Sequence, residues 1–412
     1  KDHYHENGIF SHLEPLVDDA PLTIEKRILG ELPPPPTQLI VPYVDIVHNR
    51  APVEIMRGCT RGCRFCHAGM VNRPVRERPV EDVLNAIKAI LPQTGFDEIG
   101  ILSLSSSDYT KIIQLVKALN EQFEGENLSI SLPSLRVESL SVELMDALTD
   151  QRRSGFTLAP EAATERMRRI INKPITNAQL LETAQEIYAR GWHTIKLYFM
   201  IGLPYETLED VRAIAHLSKA VRDEGAKIIG NRVQVHTSVS TFIPKPHTPF
   251  QWAACNTQEE IQTKIEILQK EVRGRGLKFN WNDPQESIFE AWLSRGDRRL
   301  AKVIYQAWNH GAKFDAWREH FDFEIWHKAF QTTGLDKDFY AHRRREDDEV
   351  FPWDHINTGV RKEFLLREYQ RSQEGKTRPD CREGCYACGI LTTYKELRSK
   401  IPEEEWYCPP LK

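Results

Sequence analysis

From about residue 52 the chain alternates short, nearly uniform apolar runs with longer stretches whose apolar positions recur every three or four residues. The first pattern reads as buried strands, the second as amphipathic helices. "VEIMR" opens the series, and "PVEDVLNAIKAIL" follows with Pro79 at its helical start. "EIGILSLSS" and "TKIIQLVKALNEQF" make the next pair, then "LSISLPSL" and "SVELMDALTDQ". "GFTLAP" precedes two helical stretches, "TERMRRIIN" and "NAQLLETAQEIYARG". "TIKLYFMIGLP" with "LEDVRAIAHLSKAVRDEG", and "RVQVHTSVSTFIP" with "QEEIQTKIEILQKEV", complete six strand–helix units. Strands apolar along their length, each followed by a helix, predict an α/β fold with a parallel sheet covered by helices. Six units fall short of a closed eight-stranded barrel, leaving a partial barrel or an open sheet. In either, the site lies beyond the carboxyl ends of the strands.

The flanks differ in character. "ELPPPPTQL" (31–39) is a stiff connector that closes a leader over residues 1–50. The α/β rhythm occupies residues 51–280. "ESIFEAWLSRG" and "RRLAKVIYQAWNHG" begin a mainly helical extension over 281–375, with Trp292, Trp308, Trp317 and Trp326 read as core packing. "HRRREDDE" (342–349) reads as a solvated, self-paired charge run. A small cysteine-rich segment, 376–412, ends the chain.

The 412 residues carry a formal net charge of −4, are 40% hydrophobic and 28% charged, and so read as an ordinary globular protein rather than a basic nucleic-acid coat. The opening "KDHYHENGIF" lacks the apolar run of a signal peptide, and the most apolar stretch is only strand-long, so no membrane span is expected. Lys1 in place of methionine reads as a fragment or a trimmed chain.

Eight cysteines stand at 59, 63, 66, 255, 381, 385, 388 and 408. Six fall in two tight triplets, a metal-ligand pattern rather than a disulfide framework, and point to a reducing cytoplasm. "RGCTRGCRFCHAGM" (57–70) places Cys59, Cys63 and Cys66 on one loop after the first strand. On spacing alone this suits a structural zinc site as well as an iron–sulfur site. Cys381, Cys385 and Cys388 repeat the spacing, and with Cys408 they supply four thiolates for a structural zinc or an auxiliary iron–sulfur cluster. Lone Cys255 reads as inert, and His67 as a packed loop histidine.

Cys59, Cys63, Phe65 and Cys66 match a C-x3-C-x-aromatic-C signature, and here the sequence resembles the radical S-adenosylmethionine superfamily. That resemblance implies a partial (β/α)6 barrel and a 4Fe–4S cluster with three cysteine ligands. The fourth iron is then left to S-adenosylmethionine, which is split reductively to a 5′-deoxyadenosyl radical. "LSSSDY" stands where the family has a glycine-rich stretch facing the ligand's amino group, with Ser105, Ser106 and Ser107 in place of glycines. In "TLAPEAATERMRRIINK", Glu161 matches the residue that meets the ribose hydroxyls, and Lys173 a basic residue that pairs with the carboxylate. The plainer reading of both is a surface charge. "YFMIGLPYET" is similar to the adenine-facing strand end, with Ile201 and Gly202, and "STFIPKPHTPF" offers Phe242 and Ile243 as an apolar edge.

"FMIGLPYET" and "FIPKPHTPF" look most like the cobalamin-associated and methylthiotransferase-like branch. The two triplets together resemble an uncharacterised family with a cobalamin-binding domain upstream. About fifty residues precede the signature here, too few for that domain, so cobalamin is not predicted from these residues. A separate cobalamin-binding domain fits if the chain is a fragment. The resemblance implies an electron donor such as flavodoxin or ferredoxin and a substrate open to methylation, methylthiolation or related C–H chemistry. RNA is one candidate substrate, although no basic, aromatic-interleaved stretch argues for it. Two competing readings stand beside this one: a non-catalytic, zinc-stapled binding module on a degenerate barrel, and a simple two-cluster electron carrier.

Overall fold

The computed structural model describes residues 1–44, 46–126, 128–132, 135–137, 141–147, 155–402, 406 and 408–409. Seven strands run parallel in two sheets. β1 (Ala51–Glu54), β2 (Glu98–Leu102) and β3 (Ser129–Ser131) form the first, with β2 in the middle. β4 (Phe156–Glu161), β5 (Thr194–Ile201), β6 (Gln234–Thr241) and β7 (Leu277–Trp281) form the second in that order. Residues 133 and 134 of "LSISLPSL" and the end of "SVELMDALTDQ" lie outside the described residues. β5 and β6 pair in register from Thr194 opposite Gln234 to Ile201 opposite Thr241, so their carboxyl ends finish side by side.

The strands are less uniformly apolar in space than along the sequence. In β5, Ile195, Leu197, Phe199 and Ile201 are buried beneath the helices, while Lys196 and Met200 on the other face are half-buried and Tyr198 is exposed. β6 repeats this, with Val235, Thr237 and Val239 buried and His236 and Ser238 half-buried. One face therefore carries the core, and the other stays partly open and polar. β7 was not anticipated: "LKFNW" is short and alternates polar residues with aromatics, yet it pairs with β6 from Val235 opposite Leu277 to Val239 opposite Trp281.

Helices follow the strands as their spacing predicts. α1 (His67–Val71) leaves the cysteine loop. α2 (Val80–Thr94) buries Val83, Ala86, Ile87 and Ile90 on one stripe and stops at Gly95, whose φ of +68° suits a left-handed cap. α3 (Ile112–Gln122), α4 (Val142–Ala147), α5 (Glu165–Ile170) and α6 (Asn177–Ala189) come next. α7 (Leu208–Ile229) starts at a Thr207–Asp210 capping box, and α8 (Gln258–Glu271) at a Thr257–Glu260 box. None of the described helices is long and apolar enough to cross a membrane.

Beyond β7, α9 (Pro284–Arg295), α10 (Leu300–Asn309), α11 (Phe323–Thr333) and α12 (Lys337–Ala341) join the main core. Trp292 and Trp326 pack there as expected, but Trp308 and Trp317 are 57% and 62% exposed. α10 turns Leu300, Val303 and Ala307 inward, so position 308 is rotated off the buried stripe. The charge run is not wholly solvated either: Arg345 and Glu349 are buried, and Arg343 grips Glu349 at 2.6 and 2.7 Å. α13 (Lys362–Gln373), α14 (Ile390–Thr393) and α15 (Lys395–Arg398) follow. A second core joins Phe364, Tyr369, Ile390 and Trp406 to Met70 of α1, Ala162 after β4, Met167 and Ile170 of α5, Leu203 after β5 and Phe242 after β6. The stretch from Phe351 to Trp406 thus packs against the carboxyl ends of the strands.

Candidate iron–sulfur and ligand site

The cysteine loop is closed at its base by a short antiparallel pairing of Met56–Arg57 with Arg76–Glu77. Gly58 begins it with φ of +92°, and a Cβ there would sit 2.6 Å from the Asn72 and Pro74 carbonyl oxygens, so only glycine fits. Cys63 is buried and Cys59 and Cys66 half-buried. Cys66 caps α1, its Sγ accepting the Gly69 N–H at 3.3 Å, and Arg136 Nη1 lies 3.5 Å from Cys63 Sγ. Burial first, and then the neighbouring Cys63, push the Cys59 thiol up and the Cys66 thiol to about 11. Raised in this way, the Cys59 and Cys66 thiols need a nearby cation to ionise. N–H donors aimed at their sulfurs are what thiolates on an iron–sulfur cluster accept. The donor set therefore fits a 4Fe–4S cluster held by three cysteines, and that fit is read from these contacts.

The loop is braced by residues the sequence did not single out. Asp108, directly after Ser107, takes Arg61 Nε at 3.1 and 3.0 Å on its two oxygens and the Ser105 hydroxyl at 2.6 Å. Burial alone would raise its carboxyl, yet Arg61 and Ser105 hold it at about 2. Ser105, Ser106 and Ser107 are buried: Ser106 shares a hydrogen bond with Ser103, and the Ser107 hydroxyl accepts the Arg136 N–H at 2.9 Å. Serines are thus accommodated in place of glycines because the Ser105 and Ser106 hydroxyls bond within the turn and that of Ser107 bonds the Arg136 backbone. Asn172 donates to the Arg61 and Gly62 carbonyls at 3.1 and 3.2 Å and accepts the Arg378 N–H at 2.7 Å. The signal in the sequence is only a polar residue next to Lys173.

At the end of β4, Glu161 has φ of +65° and its Oε1 lies 3.3 Å from Lys173 Nζ. Lys173, 4% exposed, also donates to the Ala159 carbonyl, which rules out the surface-charge reading for it. Gly202 turns the end of β5 with φ of +83°, donating its N–H to Glu206 Oε2 at 2.8 Å. The buried Ile201 accepts the Phe242 N–H at 2.8 Å, joining the ends of β5 and β6. Phe242 and Ile243 are buried, Phe242 meeting Phe250 edge-on at 5.7 Å, and Phe65 packs at the border of the same core. His67 is exposed at the head of α1. Cys255 is buried, with its thiol pushed up to about 12 chiefly by burial, in keeping with an inert role.

The cysteine-rich tail lies on the same loop. Cys381 N–H donates to the Thr60 carbonyl at 3.1 Å, Thr60 Oγ1 to Asp380 at 2.6 Å, and Arg382 to the Asp108 carbonyl at 3.0 Å. Arg64, fully buried, bridges Glu368 at 3.1 Å and the Lys376 carbonyl at 2.5 Å. Cys381 and Cys408 are both pushed up to about 12, burial being the main cause.

Residues 53–218 match the model of the Radical SAM superfamily. Among curated relatives, an uncharacterized protein of Methanocaldococcus jannaschii is 31% identical over 61% of this chain and 53% of its own. A tRNA-2-methylthio-N(6)-dimethylallyladenosine synthase of Clostridium beijerinckii is 27% identical over 58% of this chain and 51% of its own. The chain spans about half the length of these relatives. Among solved structures, the radical S-adenosylmethionine methyltransferase TsrM of Kitasatospora setae, with cobalamin and a 4Fe–4S cluster bound, matches with a TM-score of 0.42. Its identity is 14%, over 69% of this chain and 61% of that one.

Proposed function

We propose that this chain, which carries a radical S-adenosylmethionine domain over residues 53–218, is an enzyme that cleaves S-adenosylmethionine reductively and uses the radical to modify a substrate. The single observation that carries this is the Cys59–Cys63–Cys66 loop at the strand ends, with Gly69 and Arg136 donating to its sulfurs. Cys59, Cys63 and Cys66 would hold a 4Fe–4S cluster there, which would supply the electron for reductive cleavage of the ligand's sulfonium.

The chain's own residues do the positioning. Lys173, 3.3 Å from Glu161, faces the ligand's carboxylate, and Glu161 takes the ribose hydroxyls. The turn at Ser105–Ser107 meets the amino group, the backbone at Ile201 and Gly202 approaches adenine, and Phe242 and Ile243 close the apolar side. The first six of these strands make up a partial (β/α)6 barrel, with β7 added at its edge, and the partly open, polar strand face admits substrate. A low-potential electron-donor protein supplies the reducing equivalent. The reaction is a methylation, methylthiolation or related C–H modification; the similarity to a tRNA-2-methylthio-N(6)-dimethylallyladenosine synthase of C. beijerinckii supports RNA as the substrate class.

Anaerobically reconstituted protein, given dithionite and S-adenosylmethionine, is expected to turn brown and release 5′-deoxyadenosine. Cys63→Ala is expected to reduce that release to the background of the reductant alone. A colourless protein holding only zinc and releasing nothing would instead establish the non-catalytic module.

A further inference from the structure

The tail cysteines are not a remote staple. Cys381, Cys385, Cys388 and Cys408 line one pocket open to solvent, and Cys59 of the first loop lines it with them. Among the described residues no three Cys, His, Asp or Glu side chains converge closely enough to hold a single ion. A zinc ion gathers its four thiolates to about 2.3 Å from one point. A cubane cluster spreads its thiolates over separate iron corners, so its ligands stand around a space rather than a point. Thiols distributed round a cavity match the second arrangement. Arg73 lines the same cavity; it is buried, donates to Cys388 and lies in the field of Cys381 and Cys59. A fixed guanidinium there offsets the negative charge that four thiolates bring to an iron–sulfur cluster.

We propose that Cys381, Cys385, Cys388 and Cys408 ligate a second 4Fe–4S cluster, with every iron occupied by protein, seated directly against the Cys59 loop. The inference rests on the reading of that loop as an iron–sulfur site. The seating follows from the 3.1 Å bond between Cys381 N–H and the carbonyl of Thr60, the residue next to Cys59. Two clusters so placed have interacting electron spins when both are reduced.

The test is metal content and electron paramagnetic resonance of the full chain after anaerobic reconstitution with iron and sulfide. Wild type should hold about eight irons, and the variant C59A/C63A/C66A about four, still giving the signal of a reduced 4Fe–4S cluster. The doubly reduced wild-type spectrum should be broader than the sum of that variant and C381A/C385A/C388A. A single zinc or no metal in C59A/C63A/C66A, or about four irons in wild type, would overturn the second cluster; the wild-type count needs no substituted protein. Additive spectra would overturn its seating. About eight irons without 5′-deoxyadenosine release would defeat the catalytic reading alone, and about four irons with release would defeat only this one.

Discussion

Asp108 shows how a residue with no place in any motif can organise a site. Its carboxylate is buried between Arg61 and Ser105, and its own carbonyl accepts Arg382, so one side chain and its backbone link the cysteine loop, the end of β2 and the tail. The sign of its pH effect follows from its lowered value. An unfolded aspartate titrates near ~3.9, so the stabilisation from about 2 is complete above pH ~4 and is lost as pH falls through the folded value. The difference corresponds to about 2.5 kcal/mol. Asp108→Asn is expected to lose about that much at pH 7 in a denaturant titration, and to flatten the fall in stability between pH ~4 and ~2. The sequence marked the serines before it because a family pattern runs through them. Asp108 carried no such mark, because its partner Arg61 is remote in sequence and only the fold brings the two together.

The ends of the strands are where whole elements act. Gly202 ends β5 with a positive φ, and a Cβ there would come within 3.0 Å of Asn256 Oδ1. Gly202→Ala is therefore expected to cost about 1–2 kcal/mol in stability and to weaken S-adenosylmethionine binding several-fold, read by calorimetric titration. Periodicity found most helices and strands of residues 51–280, because an amphipathic stripe or a buried run is a local property. It missed β7, whose pairing with β6 is decided by a neighbouring edge rather than by its own composition. It also took every strand to be apolar on both faces, whereas β5 and β6 bury one face and leave the other partly open. The apolar residues on the two faces read as one run until the helices are seen on one side only.

For the molecule as a whole, the joint between the first and second cysteine sets matters most. Asp380 accepts Thr60 at 2.6 Å and pairs with Arg382 at 3.1 Å, pinning the tail to the loop that bears Cys59. Asp380→Ala is expected to speed amide exchange over residues 377–390 and 59–62 at least several-fold while β5 and β6 keep their protection, as hydrogen exchange followed by mass spectrometry would show. Equal exchange in both proteins would mean that the joint is held elsewhere.

The sequence by itself determined the strand–helix alternation and the presence of two thiol sets. These depend on side-chain periodicity and on spacing along one short loop, both carried within a few residues. Only the tertiary structure decided that Glu161 pairs with Lys173, that Asn172 ties three segments together, and that Cys59 shares a cavity with Cys381 and Cys408. The first needs the turn after β4 to fold back over twelve residues, and the others need segments more than a hundred residues apart to meet, which the second core at the strand ends, rather than any local pattern, brings about.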